Sequence, residues 1–125
     1  MDENALANEL IGAAIEVHKH LGPGLMESAY QTCLSRELTL REISFETEVP
    51  VAVDYKGVAV EDAYRVDLMV GDKLIVELKA VASLSEIHKA QLLTYLRLTR
   101  RKLGILINFN EQLLKHGIQR VVNNL

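Results

Sequence analysis

The chain has 125 residues, of which 49% are hydrophobic and 25% charged, and its formal net charge at pH 7 is −3. This length suffices for one domain with a hydrophobic core, and the composition is typical of globular proteins. The single cysteine, Cys33, excludes a disulfide framework or a cysteine-based zinc site, and neither a membrane-spanning apolar run nor the basic start of a secretory signal is present. We therefore expect one cytoplasmic domain over residues 1–125.

Two helices and a strand are predicted in the first half of the chain. Apolar residues recur at helical spacing over residues 4–20, and Gly22-Pro23-Gly24 ends that helix. A second helix is predicted over about 25–41. Apolar and charged residues then alternate from Phe45 to Tyr55, which predicts a strand, and Pro50 places that strand at a sheet edge or in a bulge. The second helix is expected to bury Leu25, Ala29, Cys33 or Leu34, and Leu38.

A hairpin is predicted between Arg65 and Lys79, because two apolar alternations flank a short polar loop. Side chains alternate between the two faces of a strand, so each strand presents one apolar row. The expected rows are Val66, Leu68 and Val70 on the first strand and Leu74, Val76 and Leu78 on the second. The alternation is interrupted by charges at Asp67, Glu77 and Lys79.

The length of the hairpin loop decides whether the two carboxylates meet. A two-residue turn would pair Val70 with Lys73 and would scatter the charged residues. A three-residue loop would pair Val70 with Leu74 and would place Asp67 opposite Glu77. The local sequence permits either loop, and a one-residue slip turns every side chain to the other face. We predict the three-residue loop, since it brings both apolar rows into one core.

The second half predicts a helix and two strands. A capping-box pattern, Ser83-Leu84-Ser85-Glu86, opens a helix over about 84–101, a continuous apolar run predicts a buried strand over 103–109, and an edge strand follows over 117–122. A helix that joins two strands favours a parallel pair and hence a mixed sheet. The helix ends in Arg97, Arg100, Arg101 and Lys102, which either form a local nucleic-acid surface or complement the helix dipole.

A carboxylate on each of two neighbouring strands, with a lysine beside the second, is suited to holding a divalent cation and a water molecule. The alternative is a cross-strand ion pair on a solvated face, either Asp67 with Lys79 or Glu77 with Arg65.

Polar residues on the flanking helices could extend this site. Glu27 and Tyr30 lie three apart on one helix face, and Gln91 and Tyr95 lie four apart on another. They could supply a third carboxylate and hydrogen-bonding groups. The alternatives are a glutamate favoured by the helix dipole, a packed tyrosine ring and a solvated helix face. His18 is a further candidate, or else a boundary histidine with a backbone partner.

Together these residues resemble the PD-(D/E)XK nuclease superfamily and, more closely, the small GxxExxY proteins within it. Asp67 and Glu77-Leu78-Lys79 are similar to the superfamily signature, although Val66 replaces its proline, and Gln91-x-x-x-Tyr95 resembles a helix motif of the RecB-type branch. The similarity to GxxExxY proteins runs from about residue 10 to 122 and includes Val17-His18, Leu21-Gly22-Pro23-Gly24-Leu25, Glu27, Tyr30, Arg65-x-Asp67, Val76-Glu77-Leu78-Lys79-Ala80, Gln91-Leu92-Leu93-x-Tyr95-Leu96, Gly104, Asn108-Phe109 and Gly117-Ile118-x-Arg120.

This resemblance implies an α/β fold with a restriction-endonuclease-like core, in which helices flank a central mixed β-sheet in the order ααβββαββ. It implies Mg²⁺ or Mn²⁺ held by Asp67, Glu77 and Glu27, with Lys79 activating water. Substrate-positioning residues would be Gln91, Tyr95, Tyr30, His18 and Arg65.

The implied function is metal-dependent hydrolysis of phosphodiester bonds in nucleic acid, with DNA favoured over RNA and no membrane partner. A homodimer or a partner protein could complete the site. The alternative is a catalytically silent nuclease-fold module that binds nucleic acid or a protein partner.

Overall fold

In the computed structural model, which describes all residues 1–125, helices pack on both faces of a five-stranded sheet. The elements in chain order are α1 (Glu3–Leu21), α2 (Glu27–Leu40), β1 (Phe45–Tyr55), β2 (Val58–Val70), β3 (Leu74–Lys79), α3 (Glu86–Thr99), β4 (Leu103–Asn108), a short 3₁₀ helix (Leu114–Gly117) and β5 (Ile118–Val122). The α/β class and the order ααβββαββ are confirmed, and the 3₁₀ helix is an addition. None of the helices has the length and hydropathy that a bilayer crossing requires.

The sheet is mixed, as predicted, and its strands lie in sequence order from β1 to β5. Neighbouring strands are antiparallel except β3 and β4, which are parallel and joined by α3. The edge position predicted from Pro50 is confirmed: β1 is an edge strand, and Pro50 pairs in register with Arg65. The register shifts further on, between Val51 and Val53, where the extra residues belong to β2. An edge position tolerates proline because the missing N–H faces away from the ladder.

Two hydrophobic clusters lie on opposite faces of the sheet. The larger one packs α1 and α2 against residues such as Val76 and Ile105, and the smaller one packs α3 against residues such as Ile75 and Leu106. The alternation in β3 therefore sends Glu77, which is two residues after Ile75, towards the face that α3 covers.

The apolar row predicted for the first hairpin strand is wrong at one position. Leu68 and Val70 belong to the larger cluster, whereas Val66 belongs to the smaller cluster on the opposite face. The strand changes face at Asp67, which lies between them. Glu48, the residue of β1 that lies opposite Asp67, has a positive φ of 52°. Both strands are therefore irregular at the same level of the sheet.

Two local predictions are also corrected. Leu25 precedes α2 and is 42% exposed, because the chain is still in the loop that follows α1. The cap of α3 is Ser85 and not Ser83: the Ser85 backbone N–H donates to Nδ1 of His88 at 3.1 Å, which closes a capping box two residues later than expected.

The carboxyl ends of β3 and β4 meet at one end of the sheet, which we call the site end. The Phe109 N–H donates to the Lys79 carbonyl at this end. The basic group that follows α3 lies at the opposite end, because Arg101 pairs with Asp72 in the β2–β3 loop at 2.7 Å. The predicted nucleic-acid surface of Arg97, Arg100, Arg101 and Lys102 is thus remote from the predicted site.

Candidate active site

Strands β2 and β3 separate at the residue where the chemistry is expected. Val70 pairs with Leu74, which confirms the three-residue loop, and the pairing continues only as far as Leu68 with Val76. One residue further, Oδ2 of Asp67 accepts the backbone N–H of Leu78 at 2.7 Å. The carboxylate replaces a carbonyl that a continuing ladder would have supplied, so its position is determined by the backbone of β3.

Glu77 is the most unusual side chain at this point of the sheet. It is only 3% exposed, and neither of its carboxylate oxygens has a hydrogen-bond partner. The pKa of Glu77 is raised to about 9, mainly by burial and next by the charge of the neighbouring Asp67, while Lys79 acts in the opposite direction. A buried carboxylate without partners is unfavourable unless it is protonated or binds a cation.

Lys79 is half-buried at the last position of β3 and forms no ion pair with either carboxylate within 4.0 Å. Arg65 pairs instead with Asp62 at 3.0 Å, with both side chains exposed. The alternative of a cross-strand ion pair on a solvated face is therefore wrong. Neither the lysine ammonium nor the buried carboxylate of Glu77 is neutralised by an ion pair.

Two stacked tyrosines form a wall beside the carboxylates. The rings of Tyr64 on β2 and Tyr95 on α3 lie 4.4 Å apart and nearly parallel. The pKa values of both phenols are raised, first by burial and then by the charge of Glu77. Tyr95 was predicted near the site, but Tyr64 was not, because simple alternation from Asp67 would have assigned it to the other face.

Glu27 lines an open cleft that reaches Ala80, the residue after Lys79. It is exposed at the first position of α2, and the cleft has a volume of about 520 Å³. The lining residues are Gly24, Leu25, Met26, Glu27, Ser28 and Ala80, the last of which follows Lys79. No three His, Cys, Asp or Glu side chains anywhere in the chain are grouped closely enough to hold a metal ion together. The structure therefore does not join Glu27 to Asp67 and Glu77 in one cluster.

Tyr30 supports the loop at the site end from inside the core. It is fully buried, its hydroxyl donates to the Gly22 carbonyl at 2.6 Å, and it accepts the Leu25 N–H at 3.1 Å. Its ring stacks on Phe109 at 4.3 Å. His18 plays a similar part, because its Nε2–H donates to the Glu111 carbonyl at 2.7 Å. Tyr30 thus orients the loop beside the cleft of Glu27, and His18 joins α1 to the segment after β4.

The remaining predicted residues lie at the surface, and two other side chains hold the site together. Gln91 is exposed on α3, as is Arg65 on β2. Gln31 was not predicted, and its Nε2 donates to the Asp67 carbonyl at 3.2 Å. Asn108, noted only as part of a motif, is fully buried: its Nδ2 donates to the Val81 carbonyl at 2.9 Å, and its Oδ1 accepts the Val81 N–H at 3.1 Å. The strand end that carries Lys79 is thereby fastened to β4.

The side chains present fit a divalent metal with a preference for oxygen ligands. Asp67 and Glu77 offer carboxylate oxygens, and those of Glu77 have no competing donor. Mg²⁺ is commonly held by one or two protein carboxylates, with waters and substrate phosphate filling the other positions. Two carboxylates without a third protein ligand are therefore sufficient for such a site.

Comparisons with known proteins agree with the observed fold. A family model of the PD-(D/E)XK nuclease superfamily matches residues 4–121. The crystal structure of SSO0001 aligns with a TM-score of 0.57 and 19% sequence identity, covering 96% of this chain and 78% of that one, which shows a common fold. The comparison with curated proteins found no match.

Proposed function

Since this chain belongs to the PD-(D/E)XK nuclease superfamily, we propose that it hydrolyses phosphodiester bonds in nucleic acid with the help of a bound divalent metal. The observation that carries the proposal is the buried carboxylate of Glu77, whose oxygens have no partner beside the half-buried Asp67. A fold retains such a group at a cost in stability, and a cation held only in the working protein accounts for it.

Asp67 and Glu77 are the proposed ligands of Mg²⁺ or Mn²⁺. When bound, such an ion polarises the scissile phosphate and lowers the pKa of coordinated water. Asp67 keeps its orientation because one oxygen accepts the Leu78 N–H, which leaves the other for a ligand. We propose Glu27 as an additional acidic group that reaches the substrate or its metal across the cleft it shares with Ala80.

Lys79 is proposed to hold the attacking water and to offset the charge that develops on the phosphate oxygens. Two features support this role. Its ammonium forms no ion pair, and the backbone beside it is fixed by the Phe109 N–H and the Asn108 side chain. Tyr95, with Gln91 on the same helix, would position the substrate above this point.

The test is cleavage of labelled single- and double-stranded DNA and RNA by the purified protein in Mn²⁺ or Mg²⁺. We expect Asp67→Asn and Lys79→Ala to reduce the rate at least 100-fold, because each removes a group that acts only on the reacting phosphate. Glu61→Gln and Lys102→Ala change the same charges at exposed positions away from the site and should retain wild-type rates. Cleavage that persists in both site variants would refute the assignment.

One observation favours a second candidate, a catalytically silent module that binds nucleic acid or a protein partner. Glu27 does not join the other two carboxylates in a three-residue cluster. If this candidate is correct, the wild type will bind nucleic acid or a partner without cleaving any of the four substrates, and Mn²⁺ will not change its melting temperature.

Narrower assignments belong to the same proposal. The ordered motifs around Gly22, Glu27 and Tyr30 support a place among the GxxExxY proteins. We propose DNA before RNA as the substrate and the reducing cytoplasm as the setting, the latter because the one cysteine has no intrachain partner. A second copy or another protein could supply recognition that a domain of this size lacks.

A further inference from the structure

We propose that a groove between the end of α1 and residues 112–115 binds the sugar–phosphate backbone of the nucleic acid strand that enters the candidate active site. The inference depends on the proposed function for the class of ligand. The surface itself is defined by geometry and charge. We assign nucleic-acid binding to this groove and not to the basic group after α3, because that group lies at the opposite end of the sheet.

The groove has a volume of about 420 Å³ and lies at the site end. His18 joins its two walls, because this α1 residue donates to the Glu111 carbonyl at 2.7 Å. The lining residues are Ile15, His18, Lys19, Gly22, Pro23, Gln112, Leu113, Leu114 and Lys115. The contact of His18 keeps the walls at a fixed separation.

The charge of the groove is opposite to that of the whole chain. Lys19 and Lys115 line it from opposite walls, both are exposed, and no carboxylate is among the lining residues. The chain as a whole has a net charge of −3. Neither lysine takes part in an ion pair within 4.0 Å, so both ammonium groups are available to phosphates.

The groove and the cleft of Glu27 lie on either side of one loop. Gly22 and Pro23 line the groove, and Gly24 lines the adjoining cleft that contains Glu27 and Ala80. A strand whose phosphate lies beside Lys79 could therefore cross the Gly22–Gly24 loop and reach the two lysines. Tyr30 holds this loop from below by two hydrogen bonds.

The dipole at the end of α1 opposes this interaction, because a helix C-terminus carries partial negative charge. Lys19 lies in the last turn and offsets that charge. The Gly22 N–H also donates to the His18 carbonyl at 2.8 Å, which satisfies one of the exposed carbonyl groups. The lysines can thus act on an external phosphate.

The experiment measures binding of a fluorescently labelled 20-nucleotide DNA strand by anisotropy in EDTA, where no metal-dependent cleavage occurs, at several salt concentrations. The test variant is Lys19→Gln with Lys115→Gln. The matched control is Arg97→Gln with Lys102→Gln, which removes the same charge at the opposite end. Melting curves verify that both variants are folded.

Loss of two phosphate contacts should lower the slope of log K against log salt by about 1.5 and weaken binding roughly tenfold at low salt. The control pair should retain the wild-type slope. In cleavage assays the test variant should raise KM with little change in kcat. An unchanged slope in the test variant, or an equal loss in the control, would overturn the inference. If the slope falls but the wild type cleaves nothing, the groove stands and the proposed function fails.

Discussion

At the scale of single residues, Glu77 is unfavourable for folding but suited to the proposed chemistry. Its carboxyl group is buried without hydrogen bonds, and its pKa is raised to about 9. Without metal the folded protein therefore holds a proton on Glu77 at neutral pH. Two ionised carboxylates cannot hydrogen-bond to each other, but a protonated Glu77 can share its proton with Asp67.

The raised pKa of Glu77 predicts that the metal-free protein loses stability as pH rises. The unfolded chain releases this proton near the ordinary value of 4.5, whereas the folded chain keeps it up to about 9. Between these values the folded state binds more protons, so this residue lowers the free energy of unfolding by up to about 1.4 kcal/mol per pH unit. Below 4.5 the penalty is absent, and above 9 it is constant.

Chemical denaturation in EDTA at pH 6 and pH 8.5 measures this effect as a difference between variants. Glu77→Gln should be more stable than wild type at pH 8.5 and should show a smaller loss between the two pH values. Glu61→Gln, at an exposed position on β2, should retain the wild-type dependence. Equal pH dependence in wild type and Glu77→Gln would show that Glu77 is not held protonated.

Some site residues could be predicted from the sequence, and others could not. Asp67, Glu77 and Lys79 interrupt an apolar alternation, so they are visible in a single chain. Tyr64 was missed because its approach depends on the change of face at Asp67, which has no local signal. Gln31 was missed because its contact is with a backbone carbonyl 36 positions away.

At the scale of elements, the depth at which α3 packs is set by a glycine on β4. A Cβ atom added at Gly104 would lie 2.8 to 3.0 Å from three side-chain atoms of Leu92. Leu92 is fully buried on α3, so it has little room to move. The same helix carries Tyr95, and its distance from the sheet therefore affects the wall beside Glu77.

We predict that Gly104→Ala destabilises the protein by about 1–3 kcal/mol, the usual cost of overpacking a filled core. The measurement is urea denaturation. Leu92→Val removes part of the obstructing side chain, so the alanine substitution should cost less in that background. Equal costs in both backgrounds would contradict the contact as the cause.

Element positions were predictable where periodicity was strong. The helices and most strands begin and end within a few residues of the predicted ranges, since apolar patterns define them. The exception is β2, which begins at Val58 and not at Arg65. The hairpin register was predictable because only one loop length brought Leu68, Val70 and the second row into one core. The capping of α3 was misplaced by two residues, since both Ser83 and Ser85 begin a plausible cap.

At the scale of the whole molecule, metal binding should be visible as stability. A ligand that binds only the folded chain at about 100 times its dissociation constant stabilises it by about 2.7 kcal/mol. We predict that Mg²⁺ or Mn²⁺ raises the melting temperature of the wild type and that the increase grows with pH up to about 9, because the metal requires an ionised Glu77.

Matched variants make this measurement specific. Asp67→Asn and Glu77→Gln should abolish the increase, and Glu61→Gln should retain it. Glu27→Gln decides whether the third acidic group touches the metal: a reduced increase supports direct ligation, and an unchanged increase limits Glu27 to the substrate. No increase in the wild type at millimolar metal would contradict the proposed metal site.

The bond between Asp67 and the Leu78 amide has a consequence for judging relatives of this protein. An acceptor at that position completes the backbone bonding of β3 whether or not any reaction takes place. A homologue that had abandoned hydrolysis would still benefit from Asp or Asn there. A carboxylate at position 77 makes no such stabilising hydrogen bond. Its retention at that buried position is therefore the better indicator that a homologue is active.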